Sequence, residues 1–237
     1  RVPLVVPEVN PEHLRKHRGF ISNPNCSTIQ MVVALAPLHR VARIRRIVVS
    51  TYQAVSGTGR AAVAELEQQV RDWAAGNSMR HEVYPHRIAF NVIPQVSSLK
   101  DIFPGYYGEE IKMIREPRKI FDEPNLAVSA TCVRVPVLNG HSESINVQFE
   151  KKMTVEMARE ILSKAPGVKL VDDPAKSVYP MAIDASGQDD VLVGRLRQDT
   201  SAENCLDMWV VADNIRKGAA TNAVQIAEKM IEMKLVK

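Results

Sequence analysis

The residue that first suggests chemistry is Cys26, which lies in the stretch SNPNCSTIQMVVALAPL, residues 22–38. From Ser27 onward the apolar residues recur at helical spacing, so the thiol lies at or just before a helix N-terminus. The unpaired N–H groups and partial positive charge of a helix N-terminus stabilise a thiolate. We therefore expect a lowered pKa and a usable nucleophile at Cys26. Burial of a small apolar side chain explains the same placement about equally well.

A nucleophilic cysteine needs a partner for proton transfer, and His141 is the best placed of the six histidines. It lies in LNGHSES, which we interpret as a tight link between two strands, and Gly140 there permits an unusual backbone angle. The other five histidines have polar or helix-end surroundings. Because a loop histidine is more often a surface residue than a base, the pattern alone leaves both interpretations open.

Three charged residues and one glutamine are further candidates for contacts with a ligand. Glu109 and Lys112 are three residues apart on a predicted helix and share a face, so they could contact one zwitterion, although an exposed ion pair explains them too. Arg134 lies in an apolar strand, where an unpaired guanidinium is costly and its planar fork suits a carboxylate. Gln53 adjoins a strand, which is a rigid position for a substrate contact. SGTG, residues 56–59, is a weak phosphate-loop pattern that a strand-to-helix turn also explains.

Composition narrows the class of protein. The 237 residues are 45% hydrophobic, which is enough to bury a core in one large domain or two small ones. Thirty-one basic and 27 acidic residues are spread along the chain, and only 5% of residues are aromatic. This favours a phosphorylated or carboxylate ligand over nucleic acid. No apolar run has the length of a membrane span, and no secretory signal is recognisable, so we expect no membrane partner.

The three cysteines are odd in number and far apart, with no CxxC pair. This indicates free thiols in a reducing, cytoplasmic compartment and argues against disulfides and a thiolate zinc site. We predict no metal site.

The elements that carry these residues alternate in type. Strands are predicted at 2–7, 42–55, 126–138, 142–150, 168–171, 191–198 and 206–213. Helices are predicted at 10–17, from 27 until Pro37, at about 60–75, at 109–122, from 154 to about 164 and at 214–236, with a long excursion or interface element at 77–108. Several strands are near enough in sequence to pair antiparallel. The pattern therefore predicts an α+β (mixed α/β) domain with a mixed or antiparallel sheet flanked by helices.

Five blocks in order along the chain carry a family resemblance: ISNPNCSTIQMVVAL, STYQAVSGTGR, GEEIKM, CVRVPVLNGHSES and WVVADNIRKGAATNAVQIAE. Together they resemble the bacterial type of aspartate-semialdehyde dehydrogenase. The resemblance implies a glyceraldehyde-3-phosphate-dehydrogenase-like C-terminal domain in a homodimer. It also implies an oxidoreductase that reversibly converts L-aspartate 4-semialdehyde, phosphate and NADP+ to L-aspartyl 4-phosphate and NADPH through a cysteine thioester. That reaction serves the synthesis of lysine, methionine, threonine and diaminopimelate.

The resemblance also assigns residue roles. Cys26 would be the acyl-carrying nucleophile and His141 the acid/base, while Gln53 would orient the substrate and its intermediate. The binding roles follow the same motifs: Glu109 and Arg134 for the substrate, Asn25 and Lys112 for phosphate, and Ser56, Gly57 and Asn222 for the nicotinamide cofactor.

One departure from the family concerns the start of the chain, which has no glycine-rich fingerprint of a nucleotide-binding domain. We therefore interpret residues 1–25 as a segment leading from an absent nucleotide-binding domain and residues 26–213 as the catalytic and dimerisation domain. Residues 214–237 would be a helix that packs on the absent domain. Its apolar face, with Ala223, Ile226, Ala227 and Met230, is then expected to be uncovered.

Three alternatives stay open at this point. The chain could be a dimerisation module that is catalytically silent without a cofactor domain. It could be related to N-acetyl-glutamyl-phosphate reductase, which shares the architecture but has a different cysteine motif. It could also be an acyl-transferring thiol enzyme without redox chemistry.

Overall fold

A six-stranded mixed sheet organises the fold in the computed structural model, which describes residues 2–236. Residues 1 and 237, the outer ends of the predicted segments 1–25 and 214–237, lie outside the described part. The strands are β1 Ile44–Gln53, β2 Ala127–Arg134, β3 His141–Phe149, β4 Val168–Leu170, β5 Val191–Gln198 and β6 Cys205–Ala212. The helices are α1 Cys26–Ala42, α2 Arg60–Ala74, α3 Gly108–Ile120, α4 Val155–Leu162, α5 Ala182–Ala185 and α6 Thr221–Glu232.

The strand order is β2-β1-β3-β6-β5-β4, with parallel pairs β1–β2 and β4–β5 and the other neighbours antiparallel. The predicted mixed α/β class is confirmed. The expected tight link from β2 to β3 is wrong, since β1 lies between these strands and His141 is the first residue of β3. The register sets Gln53 beside Arg134. Both residues therefore lie at the end of the sheet where β3 begins.

Helix α1 lies across one face of the sheet and is buried along most of its length. The prediction that Pro37 interrupts this helix is wrong, because α1 continues to Ala42. A proline inside a helix removes one hydrogen bond. Packing of the apolar residues of α1 against the sheet outweighs that loss, since tertiary burial supplies most helix stability in proteins.

Both ends of the chain differ from the predicted elements. Residues 2–7 form only an isolated bridge between Leu4 and Ser22 and no strand. The final helix begins with a π-helical turn at Arg216–Ala220, which α6 then continues.

Part of the apolar face of α6 is covered within the chain. Ile226 is buried in a cluster with Val5 and Leu14, and Met230 packs against it. Ala223 and Ala227 are exposed. The expectation of an uncovered face is therefore wrong for Ile226 and Met230.

The predicted excursion at 77–108 contains no helix or strand before α3 begins at Gly108. Its buried residues Tyr84, Ile88 and Ile93 pack with Leu66 of α2 in a second, smaller core. The segment is thus anchored to the domain by its own apolar side chains.

The face of the sheet opposite α1 is open at its centre. Tyr52 of β1 and Trp209 of β6 lie there with their rings 5.3 Å apart, and the side chains of Ser142 and Ser144 point to the same side. Helix α5 covers one end of this face through Ala182 and Ala185. Among the described residues, no helix is long and apolar enough to span a membrane.

Candidate active site

Cys26 is the first residue of α1, as its sequence context predicts. Asn25 caps the helix: its Oδ1 accepts the Thr28 N–H at 3.1 Å. The Asn25 backbone N–H donates to Glu116 Oε2 at 2.9 Å, which fixes the residue before the thiol. With Oδ1 used by the helix, the amide nitrogen of Asn25 is directed toward α3.

Glu109 of α3 contacts three other predicted site residues. Its Oε1 accepts from Asn25 Nδ2 at 2.6 Å and from Gln53 Nε2 at 3.2 Å, while Oε2 lies 3.4 Å from Lys112 Nζ. The Glu109 side chain is 7% exposed and that of Lys112 is 52% exposed. The pair is therefore not an ordinary exposed ion pair, because its carboxylate is buried against the nucleophile's helix and its ammonium faces outward.

Arg134 ends β2 beside Gln53 and is 5% exposed. Its Nη1 donates to the Ala54 carbonyl at 2.6 Å, and its Nε has no hydrogen-bond partner within residues 2–236. No carboxylate among residues 2–236 forms an ion pair with it. A buried guanidinium without a counter-ion is costly, so this group is suited to a carboxylate ligand.

His141 is fully buried, and its Nδ1 accepts the backbone N–H of Ala54 at 3.0 Å. Burial, followed by the nearby Arg134, lowers the pKa of His141 to about 3, so the ring is neutral. Since Nδ1 is the acceptor, the proton of the neutral ring is on Nε2. Nε2 has no hydrogen-bond partner among residues 2–236. The ring is therefore set to donate a hydrogen bond from Nε2.

The pKa of Cys26 contradicts the sequence expectation. It is raised to about 12, first by burial and then by the Glu109 carboxylate. The N–H of Ser27 at the helix start lowers the pKa as expected, and Arg134 lowers it too, but these effects are smaller. A helix N-terminus cannot compensate for desolvation combined with a nearby negative charge.

This pKa makes a testable prediction about thiol reactivity. Only the thiolate reacts with iodoacetamide, so the alkylation rate at Cys26 is expected to keep rising with pH beyond 9, because the thiolate fraction grows toward a pKa of about 12. Glu109→Gln removes a negative charge that raises this pKa, so the variant should be alkylated faster at the same pH. Peptide mapping would measure the rate at Cys26 alone.

A matched control is Glu228→Gln, which removes one charge from the exposed surface of α6 and should leave the rate unchanged. A rate that reaches its plateau near neutral pH would contradict the raised pKa.

Two glycines allow backbone to approach the reacting groups closely. A Cβ at Gly57 would lie 3.0 Å from Arg134 Nη1 and from His141 Nε2. A Cβ at Gly218, in the π-helical turn, would lie 2.8 Å from the Cβ of Cys26. Any side chain at either position would displace the nucleophile or its neighbours.

Ser56 is close to the site, but its hydroxyl is occupied. Its Oγ accepts from Asn214 Nδ2 at 3.0 Å and donates to Asn139 Oδ1 at 3.1 Å. Asn214 in turn accepts the Gly140 N–H at 3.0 Å, next to His141. Ser56 thus ties the turn after β1 to the start of β3.

Asn222 is not brought to the Glu109 cluster. It is fully buried, and its amide donates to the Val5 carbonyl at 3.1 Å and to Asn23 Oδ1 at 2.6 Å. Its Oδ1 accepts from Lys217 Nζ at 3.3 Å. Its polar atoms therefore connect α6 to the N-terminal segment.

Sequence reasoning missed two contributors to the site. Glu116 holds Asn25, and burial raises its pKa. The sequence does indicate that Glu116 lies near Glu109 and Lys112, because positions 109, 112 and 116 share one helix face. The backbone of Ala54 contacts both Arg134 and His141. A backbone contact of this kind cannot be predicted from the type of the residue.

The helix-start thiol, the neutral histidine donor and the buried arginine suit an enzyme that binds a carboxylate substrate and forms a covalent bond to it through sulfur. Consistent with that class, a family model described as the semialdehyde dehydrogenase dimerisation domain matches residues 35–217. The chain is 55% identical to aspartate-semialdehyde dehydrogenase of Aquifex aeolicus over 240 residues, covering 99% of this chain and 69% of that protein. The chain belongs to the aspartate-semialdehyde dehydrogenase family.

Other relatives agree with this membership. The enzyme of Bacillus subtilis is 48% identical over 242 residues, covering 99% of this chain and 69% of that protein. Among solved structures, aspartate semialdehyde dehydrogenase II of Vibrio cholerae complexed with ASA has a TM-score of 0.93 at 46% identity, covering 98% of this chain and 68% of that one. The family resemblance and the fold expected from it are confirmed.

Proposed function

We propose that the chain oxidises L-aspartate 4-semialdehyde with NADP+ and phosphate to L-aspartyl 4-phosphate, reversibly, through a thioester on Cys26. The observation that carries the proposal is the buried guanidinium of Arg134, which has no carboxylate partner and lies beside Gln53 and His141. The Vibrio cholerae relative, solved with ASA, supports the same substrate.

Two opposite charges at the site suit the two charged groups of an amino acid. Arg134 would bind the α-carboxylate through its planar fork. Glu109 would bind the ammonium group, since its carboxylate is buried and bonded mainly to neutral amides. This preference argues against an N-acetylated substrate, because acetylation removes the positive charge that Glu109 would pair with.

The chemistry at carbon begins with Cys26. The S–H bond of Cys26 breaks and its proton passes to solvent. The thiolate then forms a C–S bond with the aldehyde carbon, and the electron pair of the C=O bond moves to oxygen. His141 would stabilise this oxyanion by donating from Nε2. Gln53, held by Thr51 and Glu109, would orient the intermediate.

His141 carries its proton on Nε2, so it cannot act as a base at that nitrogen without changing tautomer. Accepting a proton at Nε2 requires the ring's proton to move to Nδ1, which would then face the Ala54 N–H. We therefore propose that His141 acts first as a hydrogen-bond donor, and that proton transfer requires the Ala54 contact to break.

Phosphate would bind beside the thioester. Lys112 presents an outward ammonium group next to Glu109, and Asn25 directs its amide toward the same region. Attack by a phosphate oxygen on the thioester carbon forms the acyl phosphate and releases the Cys26 thiolate.

The residues near Gly57 fit a flat cofactor ring. Gly57 is exposed, and a Cβ there would meet His141 and Arg134, so the glycine keeps a surface open against the reacting residues. Ser56 and Gly57 would border the nicotinamide of NADP, which accepts a hydride from the substrate carbon when bound. A relative from Candida albicans is solved with NADP, at 27% identity and a TM-score of 0.73. Asn222 stays a prediction as a cofactor contact.

We further propose a cytoplasmic homodimer that pairs through the open sheet face around Tyr52 and Trp209. The dimerisation-domain match and the partly exposed aromatic pair support the interface, and three free cysteines support a reducing compartment. Trp209→Glu is expected to shift the chain toward monomer in sedimentation velocity, with exposed Trp73→Glu as the control. Equal dimer content in both variants would contradict this interface.

The test of the function is NADP+ reduction by L-aspartate 4-semialdehyde, with the chain joined to the nucleotide-binding domain that the family resemblance implies, followed at the nicotinamide absorbance with and without phosphate. Phosphate-dependent reduction is expected, and N-acetyl-L-glutamate 5-semialdehyde should be a far poorer substrate. Equal rates with the acetylated aldehyde would overturn the roles given to Glu109 and Arg134.

A further inference from the structure

A second carboxyl group lies beneath the site and has no part in the chemistry above. Glu143 is two residues beyond His141 on β3, so both side chains are on the sheet face that α1 covers. Glu143 is 0% exposed, and within the described part of the chain neither of its oxygens has a hydrogen-bond partner. An unpaired buried carboxylate is among the most costly groups a protein can hold.

The neighbour of this carboxyl is Gln30 of α1, itself fully buried. Gln30 Nε2 donates to the backbone carbonyl of His141 at 3.3 Å, while its Oε1 has no hydrogen-bond partner among the residues that the structure describes. Burial raises the pKa of Glu143 well above its ordinary value, and the side-chain amide of Gln30 is the contact that opposes this shift. Two adjacent buried groups therefore have acceptor atoms without donors.

One proton satisfies both groups. A protonated Glu143 has an O–H that can donate to Gln30 Oε1, and its carbonyl oxygen can accept the second hydrogen of Gln30 Nε2. The first hydrogen of Nε2 remains on the His141 carbonyl. No charged partner is needed for this arrangement.

We propose that Glu143 is a positioning residue that carries a proton and forms a two-point hydrogen-bonded pair with Gln30, which fixes His141 to the helix that begins with Cys26. The proposal rests on the proposed function only in naming His141 and Cys26 as the reacting residues.

Protonation of Glu143 also affects how easily the Cys26 thiol ionises. Glu109 and Glu143 both raise the pKa of Cys26 and Arg134 lowers it, while the neighbouring Cys132 and the neutral His141 add no charge of their own. With Glu143 neutral, Glu109 is the remaining carboxylate that opposes formation of the Cys26 thiolate. The buried pair thus supplies polar contacts to the site without adding a negative charge.

The protonation state can be read directly by infrared difference spectroscopy of the chain against Glu143→Gln. The carbonyl stretching band of a protonated carboxylic acid is expected near neutral pH in the parent chain and absent in the variant. A spectrum that shows only carboxylate bands for Glu143 would overturn the proposal, and this readout needs neither substrate nor cofactor.

The positioning role is tested by steady-state kinetics. Glu143→Gln preserves a two-point pair, since its amide can donate to and accept from Gln30, and should keep kcat within about threefold. Glu143→Leu leaves buried polar atoms of Gln30 unpaired and should lower kcat by about tenfold or more. The KM for the semialdehyde should change little, because Arg134 and Glu109 are untouched.

Gln30→Leu completes a double-mutant cycle with Glu143→Leu. If the two residues act as a pair, the double variant should be no slower than the slower single variant. A loss in Glu143→Gln as large as that in Glu143→Leu, or additive losses in the cycle, would contradict the pair. A protonated-acid band in a chain that shows no turnover would count against the proposed function and leave the pair standing.

Discussion

Replacing Cys26 by alanine is expected to reduce turnover by about a thousandfold or more, because it removes the thiol that carries the acyl group as a thioester, and the neighbouring thiol of Cys132 is fully buried. Cys26→Ser should fail almost as badly, since an alcohol at this half-buried position is far harder to ionise than a thiol. The measurement is the initial rate of NADP+ reduction at saturating semialdehyde and phosphate.

The matched control is Cys205→Ala. Cys205 is a buried thiol of β6. It pairs with Gln148, at the opposite end of β3 from His141. This variant should keep its rate provided that it folds, as circular dichroism would show. Near-normal turnover in Cys26→Ala would contradict the covalent mechanism.

Replacing Arg134 by methionine is expected to raise the KM for the semialdehyde by about a hundredfold, which corresponds to losing a charge-assisted bidentate contact in a buried site. Methionine approximates the length of the side chain without its charge or fork. Arg134→Lys restores charge but not the planar fork, so it should recover only part of the loss.

Arg45→Met provides the control, because Arg45 is an exposed residue of β1. Its KM should equal that of the parent chain. If Arg134→Met lowered kcat and left KM unchanged, the guanidinium would be acting on the transition state or on the neighbouring His141, and the assignment to the α-carboxylate would be wrong.

The sequence predicted the elements whose signals are local. Thr154 caps α4 by accepting the Met157 N–H, as its position before an apolar helix indicates. The β-branched residues of β1 predict a strand, and the apolar spacing after Cys26 predicts a helix start, because both patterns depend only on neighbouring residues. Pro37 does not end α1 as its residue type predicts, because its local effect is weaker than the burial of the whole helix.

The geometry of the site could not be read in the same way. Strand order placed β1 between β2 and β3, and only that order brings Gln53, Arg134 and His141 to one end of the sheet. The tautomer of His141 depends on a backbone N–H, and the pKa of Cys26 depends on burial and on a carboxylate 83 positions away in sequence, Glu109. Such effects arise from packing, which residue types and spacing do not specify.

The most direct measurement is acylation of the chain by L-aspartyl 4-phosphate in the absence of any nicotinamide, followed by intact-mass analysis and peptide mapping. In this reverse step the Cys26 thiolate attacks the acyl carbon and phosphate leaves, so no hydride acceptor or donor is required. We predict one added aspartyl group per chain, located on Cys26, with one phosphate released and none of either in Cys26→Ala. Acylation of another residue, or phosphate release without an adduct on Cys26, would contradict the thioester mechanism.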